Sequence, residues 1–80
     1  EGRRGPSASG GSTPRAALTA RELDVARLVA VGLTNQEICG DLFLSLGTVK
    51  THLTNIQSKL AVRNRVEIAA WAWATGTVSG

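Results

Sequence analysis

Apolar residues in this chain recur three and four positions apart, and no stretch alternates in the two-residue rhythm of a strand. The pattern therefore predicts helices throughout. The clearest run is Ser45 to Leu60. Within it Val49, Leu53, Ile56 and Leu60 form one apolar stripe, while Gly47, Lys50, Thr51, Thr54 and Ser58 fall largely on the opposite side. That polar side offers short donors and a cation, with no carboxylate and no bulky group. A helix of this kind rests on a small core by its back and can lie against a polyanion by its front.

Start signals place the other helices. Thr19-Ala20-Arg21-Glu22 is a capping box, with Leu18 and Leu23 able to close as a hydrophobic staple. Thr34-Asn35-Gln36-Glu37 repeats the device with Leu33 and Ile38. Ser45 caps the third helix, with Leu44 and Val49 as its staple and Thr48 in place of the acid. Asn64-Arg65-Val66-Glu67 is a fourth box. Gly32 stands where the first helix needs a left-handed residue to stop. The expected helices are Ala20–Val31, Asn35–Leu42, Leu46–Leu60 and Arg65–Thr75. Only Phe43, Leu44 and Ser45 separate the second from the third, the short connection of a helix-turn-helix. The fold class is thus all-α, a four-helix bundle containing a helix-turn-helix. Leu23, Leu28, Leu33, Ile38, Leu42, Val49, Leu53, Ile56, Leu60 and Ile68 are its expected core, small enough that marginal stability is expected too.

Eighty residues hold one small domain. Residues 1–16, rich in Gly, Ser, Pro and Arg, read as a flexible linker or vector-derived remnant; residues 17–76 as the domain; residues 77–80 as a frayed tail. The chain contains no methionine, so it is expected to be a piece of something longer. The formal net charge is +3, and its distribution matters more than its size. From Ser45 to Arg65 stand Lys50, Lys59, Arg63 and Arg65 without a single acid, the footprint expected of a nucleic-acid face. One cysteine, Cys39, excludes an internal disulfide, and one histidine, His52, makes a metal centre or histidine-based catalysis unsupported. No apolar run approaches the ~20 residues that span a bilayer. The expectation is a cytoplasmic, non-enzymatic protein without cofactor or metal.

Leu18-Thr19-Ala20-Arg21-Glu22, Gly32-Leu33-Thr34-Asn35-Gln36-Glu37-Ile38, Thr48-Val49-Lys50-Thr51-His52-Leu53, Lys59-Leu60 and Asn64-Arg65-Val66 stand in one register. Together they resemble the LuxR-type helix-turn-helix domain of NarL/FixJ-class response regulators, over roughly Ala17 to Thr75. The resemblance implies a dimeric, DNA-binding output domain of a transcriptional regulator, with a receiver or sensor domain upstream and RNA polymerase as a further candidate partner. It implies base contacts from Lys50, Thr51 and Thr54, phosphate contacts from Thr34, Asn35, Thr48 and His52, and a homodimer face at Val66, Ala70 and Trp73. The chain departs from the family at Leu46, where many members carry Pro or Glu, and at Cys39, more often Ala. Thr54 is a lysine or another polar residue in many relatives. Gly40 weakens the second helix by about 1 kcal/mol relative to Ala.

The residues' own chemistry bears on these roles. Lys50 suits guanine O6 and N7, and threonines can donate to a base or meet a thymine methyl. His52 is a phosphate donor at the groove edge, a plain surface residue or a residue packed on the first helix, the first being the expectation. Cys39 reads as a small buried apolar residue. Trp71 and Trp73 point about 200° apart, so one serves the core and the other looks outward. Val66, Ala70 and Trp73 form a stripe suited to an interface. Two other functions compete. A sigma-factor-like promoter-binding domain is expected to turn basic late in the third helix, where this chain has Thr54-Asn55-Ile56-Gln57-Ser58-Lys59. A helical protein–protein adaptor would use the Val66 stripe and show no salt-dependent affinity for DNA.

Overall fold

The computed structural model describes residues 17–78. The expected linker, residues 1–16, lies outside them. Four helices follow one another: α1 (Ala20–Ala30), α2 (Asn35–Leu42), α3 (Leu46–Leu60) and α4 (Arg65–Ala74). Among the described residues there is no strand. Each helix starts where the sequence predicts, because each start is chemically fixed. Thr19 and Thr34 accept from the amides of Glu22 and Glu37, and each glutamate returns a bond to the cap's own amide. Ser45 and Asn64 accept from Thr48 and Glu67. The fourth box is only half a box, since Glu67 Oε1 takes the amide of Arg63, at 2.7 Å, in place of Asn64.

The ends differ from expectation by one residue in α1 and α4, where Val31 and Thr75 are caps. Gly32 has φ of 100°, the left-handed turn predicted for it. Helices α2 and α3 end without a glycine: Phe43 and Ala61 adopt φ of 58° and 57°. Such a conformation costs a residue with a side chain on the order of 1 kcal/mol. At Phe43 it turns the chain sharply enough for α3 to begin three residues after α2, and it leaves the ring 92% exposed.

Helix α1 packs on α4 and α3, and α3 also holds α2. Ile38, Ile56, Ile68, Val25 and Val49 are fully buried, each worth roughly 1.5–3 kcal/mol relative to exposure. The predicted stripe of α3 is buried at all four positions. The core of α1 differs from the prediction. Glu22, Val25, Ala26 and Val29 face inward, while Leu23 and Leu28 are half-buried at the rim, as are Leu33 and Leu42. The helical period explains the correction: 22, 25, 26 and 29 share one face, whereas leucines five apart do not. Cys39 and Trp71, expected inside, are also half-buried against the cluster; on α4 the buried positions go to Ile68 and Ala72.

Nor is the described part of the tail frayed. Val78 is buried, and its amide donates to the Ala72 carbonyl at 3.2 Å. Gly76, with φ of 76°, turns the chain so that Val78 returns to the bundle.

Candidate nucleic-acid interface

The two sides of α3 separate as the sequence predicts. Behind lie Val49, Leu53, Ile56 and Leu60; in front, Lys50, Thr51 and Thr54 are exposed, with Gly47, Thr48 and Ser58 beside them. The buried stripe fixes the rotation of the helix, so the front face is presented whether or not anything occupies it. Lys50 also reaches an open cleft of about 450 Å³ between the starts of α2 and α3. Its other walls include Thr34, Asn35, Gln36, Leu46 and Arg65. Three helices thus bring cations, amide donors and the leading amides of α2 to one place. A helix start offers N–H groups that lack intrahelical partners, and the helix dipole adds partial positive charge there.

The hydroxyls of the candidate phosphate contacts remain chemically available. Thr34 Oγ1 accepts from the Glu37 amide at 3.2 Å, and Thr48 Oγ1 accepts from Ser45 Oγ at 2.9 Å. In both cases the threonine's own proton is left to donate. Asn35 is half-buried, and its Oδ1 is taken by Arg65. His52 is half-buried, with Nδ1 enclosed and without a hydrogen-bond partner among the described residues. Only the Nε2 edge of that ring is therefore suited to a phosphate.

The charge footprint is narrower than the sequence count of four. Lys59 Nζ donates to Glu22 Oε1 at 2.7 Å, and the Glu22 side chain is 5% exposed. This pair ties the beginning of α1 to the end of α3. Burial alone would push the Glu22 carboxyl up, but the hydrogen bonds from Lys59 and the Thr19 amide, with the Lys59 charge, outweigh it and hold the group below the usual carboxylate range. Arg65 likewise serves the fold, donating to Asn35 Oδ1 and the Leu33 carbonyl. Lys50 and Arg63 are exposed cations of the acid-free segment, whereas Lys59, also exposed, is paired with Glu22. Neither long-range link was legible in the sequence, since each joins residues 30 or more positions apart.

On α4, Val66, Ala70 and Trp73 are all exposed and lie away from the core. Trp73 is 49% exposed, with Nε1 donating to the Ala30 carbonyl at 3.2 Å. The bond ties the Trp73 indole to the end of α1, where the cap residue Val31 is 53% exposed.

The sequence profile described as bacterial regulatory proteins, luxR family, matches residues 16–72. The chain is similar to the transcriptional regulatory protein LiaR of Bacillus subtilis, 51% identical over 59 residues covering 74% of this chain and 28% of LiaR. It is 43% identical over 56 residues to the response regulator protein VraR of Staphylococcus aureus, covering 70% of this chain and 27% of VraR. Among solved structures it resembles the response regulator ChrA of a heme-sensing two-component system, with a TM-score of 0.72 and 42% identity. That match covers 81% of this chain and 32% of ChrA. The chain therefore spans under a third of each of these relatives.

Proposed function

The chain belongs to the luxR family of bacterial regulatory proteins, and from that premise we propose that it is the sequence-reading output domain of a cytoplasmic response regulator. Helix α3 enters the major groove, where Lys50 reads guanine and Thr51 and Thr54 contact neighbouring base edges. Thr34, Asn35, Thr48 and the Nε2 edge of His52 meet flanking phosphates, which set register without carrying sequence information. The observation that carries this reading is the exposed, acid-free front of α3, held in fixed rotation by its fully or nearly fully buried back. An adaptor has no use for this face.

Two copies pair through Val66, Ala70 and Trp73, placing their α3 helices about one DNA turn apart. A receiver or sensor domain upstream controls how many pairs form, and bound pairs present the domain to RNA polymerase. The relatives named as response regulators support the response-regulator part of this reading.

Selection from a random-sequence duplex library, followed by titration of the winning duplex over a range of salt, tests the reading. A recovered motif and an affinity falling steeply with salt are expected. Recovery of no motif, with affinity indifferent to salt, contradicts it and favours the adaptor. Pairing is tested separately with Val66→Glu. Val66 is 72% exposed, so the fold is expected to keep its stability to within about 0.5 kcal/mol, while cooperative binding to paired half-sites is lost. Undiminished cooperativity would remove α4 from the interface.

A further inference from the structure

Arg65 shares the cleft with Lys50 but not its freedom. Its Nη1 donates to Asn35 Oδ1 at 2.6 Å and its Nη2 to the Leu33 carbonyl at 2.7 Å. A guanidinium has donors only. The Asn35 amide is therefore obliged to turn its oxygen to Arg65, and its NH2 group is the end left for another partner. The opposite orientation would set donors against donors. The second arm of the fork holds the backbone between the Gly32 turn and the Thr34 cap, just before α2 begins. Asn35 is the first residue of α2, in the turn whose amides lack intrahelical partners. One side chain of α4 thus sets both the polarity of the Asn35 amide and the position of the helix start behind it.

We propose that Arg65 is a positioning residue for phosphate binding, acting through Asn35 rather than touching DNA itself. Its planar fork fixes two acceptors at once and presents Asn35 as a donor toward the phosphate backbone. A lysine at this position would keep the charge but lose the fork. The inference rests on the DNA-binding reading above and specifies how one part of that surface is organised.

The test uses the whole chain and a mixed-sequence DNA duplex, because phosphate contacts do not depend on sequence. Arg65→Met, Asn35→Ala and the double variant are compared with the wild type at several salt concentrations, after circular dichroism has shown that each is folded. Either single change is expected to weaken binding roughly tenfold, the loss of about one charge-assisted hydrogen bond. The slope of log affinity against log salt stays at the wild-type value. The double variant is no weaker than either single one, since both remove the same contact.

Three results overturn the inference while leaving DNA binding intact. A slope flattened by about 0.9 in Arg65→Met means that Arg65 neutralises a phosphate itself. Unchanged affinity in a folded Arg65→Met domain means that the fork serves stability alone. Losses that multiply in the double variant mean that the two residues act independently. If Arg65→Met does not fold, Arg65→Lys replaces it: weakened binding despite the retained charge supports the inference, and wild-type affinity overturns it. A wild-type chain without salt-dependent affinity defeats the functional reading, and this inference with it.

Discussion

Helix α3 carries a lysine near each end, and the two lead opposite lives. Lys59 sits on a buried carboxylate, 2.7 Å from Glu22 Oε1, and locks the end of α3 to the beginning of α1. Lys50 is exposed at the cleft where α2 and α3 begin. Both residues contribute equally to a charge census, and both belong to the same acid-free stretch of sequence. The difference lies in what the fold brings opposite them. One end of the helix is secured so that the other can be offered, which is what a reading element needs: its position must not depend on its ligand. Arg65 follows the pattern of Lys59, a cation committed to the fold.

The comparison breaks most visibly at Glu22. Glu22→Ala removes the partner of Lys59 and the return bond to Thr19, so a loss of about 2 kcal/mol is expected. For a domain of this size that is a fall of roughly 10 °C in melting temperature. Below the new midpoint, the DNA affinity of Glu22→Ala should match the wild type. A weakened affinity in a folded variant would mean that the two ends of α3 are not separable.

Lys50→Ala reverses the effects. Binding to the preferred duplex is expected to weaken by about 1–3 kcal/mol, while thermal stability stays within about 0.5 kcal/mol of wild type. A substantial loss of stability would place Lys50 with Lys59 among the structural cations.

Acid sharpens the contrast from another side. The Glu22 carboxyl binds a proton less readily in the fold than in the unfolded chain, because Lys59 and Thr19 favour its charged form. Its contribution is therefore complete above the ordinary carboxylate value of about 4.3 and is lost as pH falls through the lower folded value. Urea unfolding at neutral pH and at about pH 3 should show a smaller loss of stability for Glu22→Gln than for wild type. Equal losses would assign the acid sensitivity to other carboxylates.

The smallest effect is expected in α2. Gly40 is exposed within the helix, and a Cβ there meets nothing within 4 Å. Gly40→Ala should stabilise the domain by about 0.5–1 kcal/mol, seen as a higher urea midpoint. A lower midpoint would show that α2 needs the glycine for a reason of its own.

How much of this was legible in the sequence follows from the range of each interaction. Caps act over three residues, so Thr19, Thr34, Ser45 and Asn64 announced the helix starts correctly. The stripe of α3 repeats every turn, so its buried and exposed faces were legible as well. The α1 core was misjudged because Leu23 and Leu28 drew attention by size, whereas Val25, Ala26 and Val29 share the inward face. Phe43 was legible as part of the turn, but its exposure was not, because it follows from the left-handed cap of α2, which no neighbouring residue announces. The partners of Lys59 and Arg65 were beyond reach, since a cation's sequence neighbours do not reveal what the fold sets against it. The expected positive face therefore shrank once the helices were packed.

The most direct test of the central claim is duplex selection from a random library with three proteins side by side: wild type, Lys50→Ala and Lys59→Ala. At a temperature where all three are folded, the wild type and Lys59→Ala should recover the same motif. Lys50→Ala should recover that motif with its preference for guanine lost at one position in each half-site. If Lys50→Ala selects the unchanged motif, or if Lys59→Ala is the variant that alters it, the assignment of the two ends of α3 is wrong.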